Sequence, residues 1–465
     1  MERKLRFYKE TFVRPDAGCT RRQVLFSTVG LAASFTPIAN IKAYEERWYD
    51  NIFRQGNSLA SISDSDDHTS SDNSDLRTGT VPLLSENMLA RLDKAILHYT
   101  GLVKSGGWPL LQRARFLRQG RSHETIAIVR KQLIAMGDMD QSHFVWSQDL
   151  NYFDECVATA LKRFQKRHGL RITGHLDRST RYHLSYSALD RLERLKQNRN
   201  RLSRLLIKVR SGPYILVNIP GYQLEAVSQN TVERRHIVIV GRADRQTPEM
   251  TAAIRGVNFF PYWRVPQSIA RRDLIPRARS DIKFLAEQRF RITTGSFSGP
   301  ELDANDVDWT NITEKKVRFR QDPGPWNALG LVRINMPNKD IIYLHDTPMK
   351  SLFKRQHRAF SAGCIRVHNV MDLVAWIGSR HQDLKREAID RLIETTNPVD
   401  LRERRSRHLN FNLKQPLPVH LAYLTAWVED SGAVIFHTDV YNRDRKHDCE
   451  FSPLENPLQH NELSP

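Results

Sequence analysis

Apolar residues recur at helical spacing in the first half of the chain. Four of them lie three or four positions apart in SENMLARLDKAILHYTGLV, namely Leu89, Leu92, Ile96 and Tyr99. This spacing predicts a helix with Ser85 as its N-cap, since a serine side chain accepts a hydrogen bond from the first turn. The basic segment LDRLERLKQNRNRLSRLL predicts a second helix. We expect the two helices to form a scaffold from residues 79–120 and 186–206.

A second helical region lies within residues 121–185. Two apolar stripes at positions i, i+4 and i+7 mark two of its helices: Val129, Leu133 and Met136, then Val157, Leu161 and Phe164. After them, Gly169 is a helix stop, Gly174 belongs to a turn, and Asp177 caps a short last helix. The pattern predicts a small three-helix bundle.

From residue 207 the apolar pattern changes to that of β-strands. YILVNIPGYQLEAV, HIVIVGR and DIIYLHDTP are rich in β-branched residues and partly alternate, which predicts a β-rich domain over residues 207–400. The segment SIARRDLIPRARSDIKFLAEQ predicts a helical insertion at about 268–325. VHLAYLTAWVED and AVIFHTDVY predict closing strands within 401–441, and residues 442–465 should be a flexible tail. The expected fold class is α+β with several domains.

Net charge narrows the range of partners. The chain of 465 residues has 71 Lys and Arg against 52 Asp and Glu, a formal charge of +19. Such a balance favours an anionic partner, which would be nucleic acid, anionic lipid or an acidic cell-wall polymer. The positive residues are scattered, and no zinc-finger or RNA-recognition motif accompanies them. Nucleic acid is therefore not the expected partner.

The N-terminal segment predicts export. TRRQVLFSTVGLAASFTPIANIKA has two adjacent arginines before the weakly apolar run Val24–Ala39, which is short for a transmembrane helix. It resembles a twin-arginine signal peptide over residues 1–43, either cleaved or kept as an inner-membrane anchor. The acidic, Ser-rich stretch that follows predicts a disordered linker over residues 44–78.

The four cysteines do not suggest a disulfide framework. Removal of the signal takes away Cys19 and leaves an odd number. Cys156 lies in the helical segment FDECVATALKRF and is expected to be a small buried apolar residue. Cys449 lies in a polar tail, and Cys364 is expected to be a free thiol.

Cys364 lies among small residues in RAFSAGCIRVHN. A cysteine nucleophile needs a base, access to substrate and donors for the oxyanion that forms. The amides of Ala362, Gly363 and Cys364 are candidate oxyanion donors. Arg366 would favour the thiolate or hold a substrate carboxylate. The alternative for Cys364 is a buried, inert thiol.

His345 is the expected general base. It lies at the end of the strand predicted in DIIYLHDTP, where a side chain can be held rigidly. His357, in a presumed mobile loop, and His368, after Arg366, are competing candidates. Most of the 17 histidines are expected to be surface or packing residues.

Two groups of motifs resemble known families. YLHDTP with RAFSAGCIRV resembles the L,D-transpeptidase (YkuD-type) catalytic domain, whose pattern is His-Gly-Thr followed by Ser/Thr-His-Gly-Cys-hydrophobic-Arg. ILVNIP, VGRADRQTP, WRVP and GPWNALG agree with it. Phe153–Leu184 resembles the peptidoglycan-binding domain type 1. The resemblance implies the long periplasmic subtype: a β-rich catalytic domain with a helical capping insertion, a three-helix peptidoglycan-binding domain and a helical scaffold.

The resemblance also implies roles for single residues. His345 matches the general base, Cys364 the nucleophile, Arg366 the motif arginine, and Ser361 and Gly363 the loop. Further residues implied to line or shape the site are Tyr343, Ser361, Trp263, Trp326 and Asn327. Asp346 stands where many members have Gly, and Ala362 where many have His. We expect the Asp346 carboxylate to alter the pKa of the base, and the segment Ser268–Gln288 to be a candidate lid.

The implied activity is peptidoglycan L,D-transpeptidation in the periplasm. A tetrapeptide stem would donate its acyl group to the cysteine with release of D-alanine, and an amine acceptor would complete a 3→3 crosslink. The implied partners are stem peptides and glycan strands; no metal or cofactor is expected, and carbapenems should acylate Cys364. One alternative keeps the nucleophile but uses water or an outer-membrane protein as acceptor. The other is a non-catalytic wall-binding scaffold.

Overall fold

The computed structural model describes residues 76–77, 79–111, 115–145, 149–209, 211–381, 384–397 and 409–444. The expected signal peptide, the linker up to residue 75 and the tail from residue 445 lie outside these residues, as do Cys19 and Cys449. The expectations for those segments stay predictions.

Helices come first along the described chain. They are α1 (Glu86–Lys104), α2 (Thr125–Ala135), α3 (Ser142–Val145), α4 (Glu155–Arg167), α5 (Arg178–Leu184) and α6 (Ala188–Leu206). The Ser85 side chain accepts from the Met88 amide and caps α1 as the sequence predicts. Helices α1 and α6 pack together through Leu92, Leu195 and Leu202. They form the helical scaffold.

Helices α2, α4 and α5 form the compact bundle that the two apolar stripes predict. Its core contains Val129, Leu133, Val157, Leu161 and Phe164, all buried. The Asp154 and Asp177 side chains cap α4 and α5 by accepting from the amides of Val157 and Thr180. Cys156 on α4 is a free thiol and is only partly buried, so it contributes less to the core than expected.

The strands follow in the second half of the chain. They are β1 (Tyr214–Asn218), β2 (Gln223–Ser228), β3 (Thr231–Gly241), β4 (Met250–Phe259), β5 (Trp263–Arg264), β6 (Phe290–Thr294), β7 (Glu301–Leu302), β8 (Val317–Gln321), β9 (Val332–Asn335), β10 (Leu344–His345), β11 (Ala359–Ser361), β12 (Ile365–Val367), β13 (Asn410–Ala422), β14 (Ala426–Val428) and β15 (Val434–Phe436).

Within the described residues, nine strands form one sheet in the order β11-β3-β12-β10-β9-β4-β13-β1-β2. Because β2 also pairs with β3, all of them except β11 close into a barrel. The barrel interior is apolar and includes Val238, Val332, Ile334, Leu344 and Ile365. Since side chains alternate along a strand, the residues between these apolar positions point to the outside of the barrel.

Strand β13 lies inside this sheet. It pairs in parallel with β1 and antiparallel with β4. Part of the segment expected to close the fold after residue 400 therefore belongs to the barrel itself. Strands β14 and β15 form a separate hairpin whose Trp427 and Phe436 pack against the scaffold helices.

The insertion packs on the outside of the barrel. It contains α7 (Gln267–Ile269), a π-helical turn (Ala270–Leu274), α8 (Ile275–Ser280), α9 (Lys283–Glu287) and the sheet β5-β8-β6-β7. Leu274, Phe284 and Phe319 form its core together with Ile239 of β3. The last described helices are α10 (Val370–His381) and α11 (Arg386–Thr395), and they follow β12.

Candidate active site

The two central residues of the candidate site lie on neighbouring strands. β10 and β12 run in parallel, with Leu344 paired to Ile365 and His345 to Arg366. Leu344 and Ile365 point into the barrel and are fully buried. By alternation, Tyr343 and His345 share the outer face of β10, and Cys364 is on the same outer face, just before β12. The structure therefore brings the expected base and nucleophile together on one face.

The loop before Cys364 is held by its own hydrogen bonds. The Ser361 hydroxyl donates to the Cys364 carbonyl oxygen at 2.5 Å, and the Gly363 amide donates to the Ser361 Oγ at 3.1 Å. Gly363 has φ +117°, a backbone conformation that favours glycine. Ser361 is buried and fixes this loop, so it does not line the site as expected. The Gly363 amide is occupied, so the expected oxyanion role does not fit it.

Thr247 supports the same loop and was not predicted as a site residue. Its hydroxyl donates to the Gly363 carbonyl at 2.7 Å and accepts from the Gly241 amide at 2.8 Å. The Tyr441 hydroxyl accepts from the Thr247 amide and donates to the Gly241 carbonyl. VGRADRQTP carried the family likeness at Thr247, but nothing local in sequence pointed to Tyr441.

His345 is a neutral imidazole of defined tautomer. Its Nδ1 lies 2.5 Å from the backbone carbonyl oxygen of Asp346. A carbonyl oxygen only accepts, so Nδ1 carries the proton and Nε2 is the nitrogen able to accept one. Burial, and then the charge of Arg366, lowers the pKa of His345 to about 3. The imidazole is therefore uncharged at neutral pH.

Cys364 is a neutral thiol in this structure. Its Sγ lies 3.8 Å from the carbonyl oxygen of Ile341. Burial raises the pKa of the thiol to about 11, against the opposing effects of hydrogen bonds from Tyr343 and the charges of Arg366 and Arg333. The expected preference for thiolate, supplied by Arg366, is thus outweighed by desolvation. The pair is poised as thiol and imidazole, not as a preformed ion pair.

Tyr343 connects the nucleophile to the insertion. Its side chain hydrogen-bonds with Cys364 and with Trp263, and its ring centroid lies 5.7 Å from that of His345. Burial raises the pKa of Tyr343, so the hydroxyl stays protonated. Trp263 is 6% exposed in the core of the insertion. Contrary to expectation, Trp263 supports Tyr343 and does not line a channel.

Asn327 is fully buried and ties a loop together. Its Nδ2 donates to the carbonyl oxygens of Pro261 and Asp322, each at 3.0 Å, and its Oδ1 accepts from the Leu329 amide. These contacts make Asn327 a residue that holds its loop together. The expected substrate-binding role does not fit them, because its polar atoms are engaged within the protein.

The Asp346 carboxylate points away from the base. Its Oδ2 accepts from the Leu331 amide at 3.0 Å, and its Oδ1 pairs with Lys350. Asp346 influences the pKa of His345 through its backbone carbonyl, and the causes of the lowered pKa are burial and positive charges. The expected effect of the Asp346 side chain on the base is therefore not observed.

The two arginines near the site differ in accessibility. Arg366 is 5% exposed, and its Nη1 contacts the Met349 sulfur at 3.7 Å. Its surroundings argue against the expected clamp on a substrate carboxylate. Arg333 on β9 is paired to His345 and is only partly buried. Sequence analysis missed Arg333, although LVRINMP alternates apolar and polar residues around it.

The two competing histidines, His357 and His368, contact other side chains. His357 lies in the loop before β11, where its Nδ1 is 3.0 Å from the Tyr222 hydroxyl. The His368 ring packs against Phe353 at 5.0 Å between centroids. Of the three histidines, His345 is the one on β10, the strand paired with β12 next to Cys364, and it stays the candidate base.

Comparisons with known proteins concern two parts of the chain. Residues 212–400 match the family model YkuD, described as "L,D-transpeptidase catalytic domain". This part of the chain is thus similar to an L,D-transpeptidase catalytic domain. Residues 122–184, which contain the helical bundle, match the model described as "Putative peptidoglycan binding domain". The family resemblance and the α+β multidomain class drawn from the sequence are thereby confirmed.

A curated relative is also named as an L,D-transpeptidase. The chain is 34% identical over 255 residues to "Putative L,D-transpeptidase" of Haemophilus influenzae, which covers 55% of this chain and 48% of the relative. The chain thus matches about half the length of this relative.

Two solved structures with L,D-transpeptidase in their names have low similarity to this chain. The match to the L,D-transpeptidase of Xylanimonas cellulosilytica has 11% identity and a TM-score of 0.20, and covers 67% of this chain and 98% of that one. The match to the L,D-transpeptidase of Stackebrandtia nassauensis has 13% identity and a TM-score of 0.22, over 58% of this chain and 90% of that one. The assignment therefore depends on the sequence matches.

Two kinds of feature are absent from the described residues. In that part of the chain, no helix combines the length and apolarity needed to cross a bilayer. Among the same residues, no group of three or more His, Cys, Asp or Glu is arranged to hold a metal ion.

Proposed function

We propose that this protein is a peptidoglycan L,D-transpeptidase that uses Cys364 as nucleophile and His345 as general base. The observation that carries the proposal is that both side chains share the outer face of paired strands within the matched catalytic domain. The donor is a tetrapeptide stem, attacked at the carbonyl of its third residue. The acceptor is an amine of a neighbouring stem, and the product is a 3→3 crosslink.

Acylation begins from the neutral pair. The Cys364 Sγ attacks the carbonyl carbon while the thiol proton moves to the Nε2 of His345. The tetrahedral intermediate collapses, the C–N bond breaks, and the departing D-alanine amine takes the proton from Nε2. A thioester on Cys364 and a neutral imidazole remain. Because burial raises the pKa of the thiol, proton transfer belongs to the attack and does not precede it.

Deacylation repeats the same steps with the acceptor amine. The amine attacks the thioester carbonyl, and His345 Nε2 accepts its proton. The C–S bond then breaks, the new amide forms, and the thiolate recovers its proton from the imidazole. No group is consumed in the cycle.

The oxyanion requires donors close to Cys364. The amides of Cys364 and Ala362 fit this role better than that of Gly363, whose hydrogen is bonded to Ser361. The Tyr343 hydroxyl, already hydrogen-bonded with Cys364, is a further donor. Preorganised donors of this kind contribute roughly 100- to 1,000-fold to turnover.

The bundle at residues 122–184 supports peptidoglycan as the partner. We propose that it holds the catalytic domain on the wall polymer, outside the cytoplasm. Export by the signal over residues 1–43, in cleaved or anchored form, would deliver the enzyme to the periplasm. An outer-membrane protein lysine remains an alternative acceptor in the second step.

Incubation of the purified protein with disaccharide tetrapeptides tests the function. Release of D-alanine with formation of 3→3 dimers, detected by mass spectrometry of muropeptides, supports the proposal. Tripeptide without dimers would indicate hydrolysis, and conjugates with an added lysine-bearing protein would indicate protein attachment. Binding to sacculi without any of these products would indicate a scaffold.

Cys364→Ala is the matched control for the nucleophile. It should release no D-alanine while keeping the thermal unfolding profile of the wild type. A carbapenem should add one covalent mass to the wild type and none to Cys364→Ala in intact-protein mass spectrometry. Full turnover by Cys364→Ala would refute the assigned nucleophile.

A further inference from the structure

Arg333 occupies the outer face of the barrel beside the catalytic pair. On β9 its neighbours Val332 and Ile334 are fully buried in the interior, so Arg333 points to the other side. It is paired with His345 of β10 and, on its other side, with Asn258 of β4. The strand order β9-β10-β12 places it two strands from Cys364, on the same face.

The contacts of Arg333 orient its guanidinium without neutralising it. Its Nη2 donates to the Oδ1 of Asn258 at 3.0 Å, and its Cζ lies 5.7 Å from the ring centroid of Tyr343. Its Nε is buried and has no hydrogen-bond partner in the structure. Among the described residues, no ion pair joins Arg333 to a carboxylate. Fully buried arginines in proteins are almost always paired, and burial without an acid is unfavourable for a guanidinium.

The electrostatic surroundings make this arrangement costly for the free enzyme. Burial lowers the pKa of Arg333, Tyr343 and Cys364 partly oppose this effect, and the nearby charge of Arg264 adds to it. Arg264 lies on β5 with its Cζ 5.8 Å from the Phe297 ring centroid, and no described carboxylate pairs with it either. The guanidinium groups of Arg333 and Arg264 are thus close enough to repel each other. A bound anion would relieve their repulsion and satisfy open donors.

We propose that Arg333 binds a carboxylate of the donor peptide next to the carbonyl that Cys364 attacks. This inference rests on the proposed function. A guanidinium suits a carboxylate because its N–H groups match both oxygens. A tetrapeptide stem offers two such groups near the scissile bond: the terminal carboxylate of the leaving residue and the side-chain carboxylate of a diamino acid. Arg333 therefore selects donors that are free acids at one of these positions.

Binding to the Cys364→Ala protein tests this selection without turnover. Three synthetic stem tetrapeptides are compared by calorimetry: the free acid, the peptide with a C-terminal carboxamide, and the peptide with its diamino-acid side-chain carboxylate amidated. We expect one amide to bind about 10- to 100-fold more weakly than the free acid, as for loss of a charge-assisted hydrogen bond. The amide that loses affinity identifies the recognised carboxylate.

Adding Arg333→Gln to Cys364→Ala should remove this discrimination. Affinity for the free acid should fall by about the same 10- to 100-fold, while affinity for the discriminated amide changes little. Arg333→Lys keeps the positive charge but lacks the paired N–H groups of a guanidinium. It should retain part of the preference for the free acid over the amide. Arg204→Gln, at an exposed position in the last turn of α6, removes the same charge from the scaffold and should leave all three affinities unchanged.

Two results would overturn the role of Arg333. One is a free acid that binds no better than either amide; the other is an Arg333→Gln protein that loses affinity equally for all three peptides. The proposed function is judged separately, by D-alanine release from the same free acid with Cys364 intact. If no release occurs, the transpeptidase proposal fails, and the binding comparison still decides whether Arg333 recognises a carboxylate.

Discussion

The Nδ1–H of His345 is bonded to the backbone carbonyl of Asp346, its neighbour in the chain. The base is thus oriented by a main-chain atom, which side-chain substitution does not remove. Many cysteine and serine enzymes use a carboxylate or amide side chain for this purpose. Here the nearest carboxylate, that of Asp346, bonds to the Leu331 amide instead.

Asp346→Ala should therefore affect stability more than the properties of the base. It leaves the partly buried Leu331 amide without its acceptor, which costs about 1–3 kcal/mol in the free energy of unfolding. Chemical denaturation of the variant measures this loss. Lys350→Met is the control: its side chain is 54% exposed, so loss of the pair with Asp346 should cost less than about 1 kcal/mol. If the acidic limb of the pH–activity profile moved in Asp346→Ala, the Asp346 side chain would affect the pKa of His345, contrary to this prediction.

Alkylation of Cys364 should be slow at neutral pH and should accelerate with pH. Only the thiolate reacts with iodoacetamide, and burial raises the pKa of Cys364 to about 11 from its usual 9.0. The rate at pH 7 should thus be about 100-fold below that of an unperturbed thiol, and should rise about tenfold per pH unit. Peptide mapping by mass spectrometry distinguishes Cys364 from Cys156, the other free thiol described. Rapid, pH-independent alkylation between pH 6 and 8 would reveal a preformed ion pair.

Tyr343→Phe should slow acylation without loss of the fold. The ring and its packing remain, but Cys364 loses a hydrogen bond that favours its thiolate, and the oxyanion loses a donor. We expect kcat/KM for D-alanine release to fall about 10- to 100-fold. Alkylation of Cys364 should also shift to higher pH. Trp263→Phe, which removes only the partner behind the Tyr343 hydroxyl, should have a smaller effect; equal effects would mean that Tyr343 acts through packing.

Buried histidines at the contact between the bundle and the β14–β15 hairpin should make the protein acid-sensitive. Burial, and then the charge of Arg191, holds the pKa of His168 and of His183 well below 6.5, and burial lowers that of His437 to about 4. The unfolded chain therefore binds more protons, and stability present above pH 6.5 is lost as the pH falls towards 4. Thermal unfolding from pH 7 to 4.5 measures this loss.

His183→Gln isolates the histidine contribution from that of other titrating groups. Glutamine can keep a hydrogen bond to the Thr438 hydroxyl, which lies 3.1 Å from the His183 Nε2, but it takes up no proton. The fall in melting temperature with acid should be shallower in this variant than in the wild type. An identical fall in both proteins would assign the acid sensitivity to other groups.

The sequence was sufficient for what is local along the chain. Helix caps and apolar stripes each occupy a few consecutive residues, and the structure has them as predicted. The motifs around His345 and Cys364 are equally local, and they predicted that these two residues lie close to each other on neighbouring strands. The direction of the Asp346 side chain could also have been predicted from the sequence. Successive residues at a strand end face opposite ways, so a carboxylate adjacent in sequence to the base is turned away from it.

Contacts between segments that are distant along the chain could not be predicted from the sequence. Tyr441 reaches the loop of Cys364 through Thr247, from a position 194 residues away along the chain. Arg333 reaches the site because β9 pairs with β10 and β4, and alternation within β9 does not specify those neighbours. The occupied amide of Gly363 depends on the rotamer of Ser361, which a motif does not define.

Barrel closure determines how the catalytic portion can be produced in isolation. The family match ends at residue 400, yet the strand between β1 and β4 is supplied by residues 410–422. A fragment cut at the end of the match would expose two unpaired strand edges and leave Thr247 without Tyr441. Such a fragment should aggregate, and the loop before Cys364 should lose its native conformation. The C-terminal boundary for expression is therefore better set beyond residue 444.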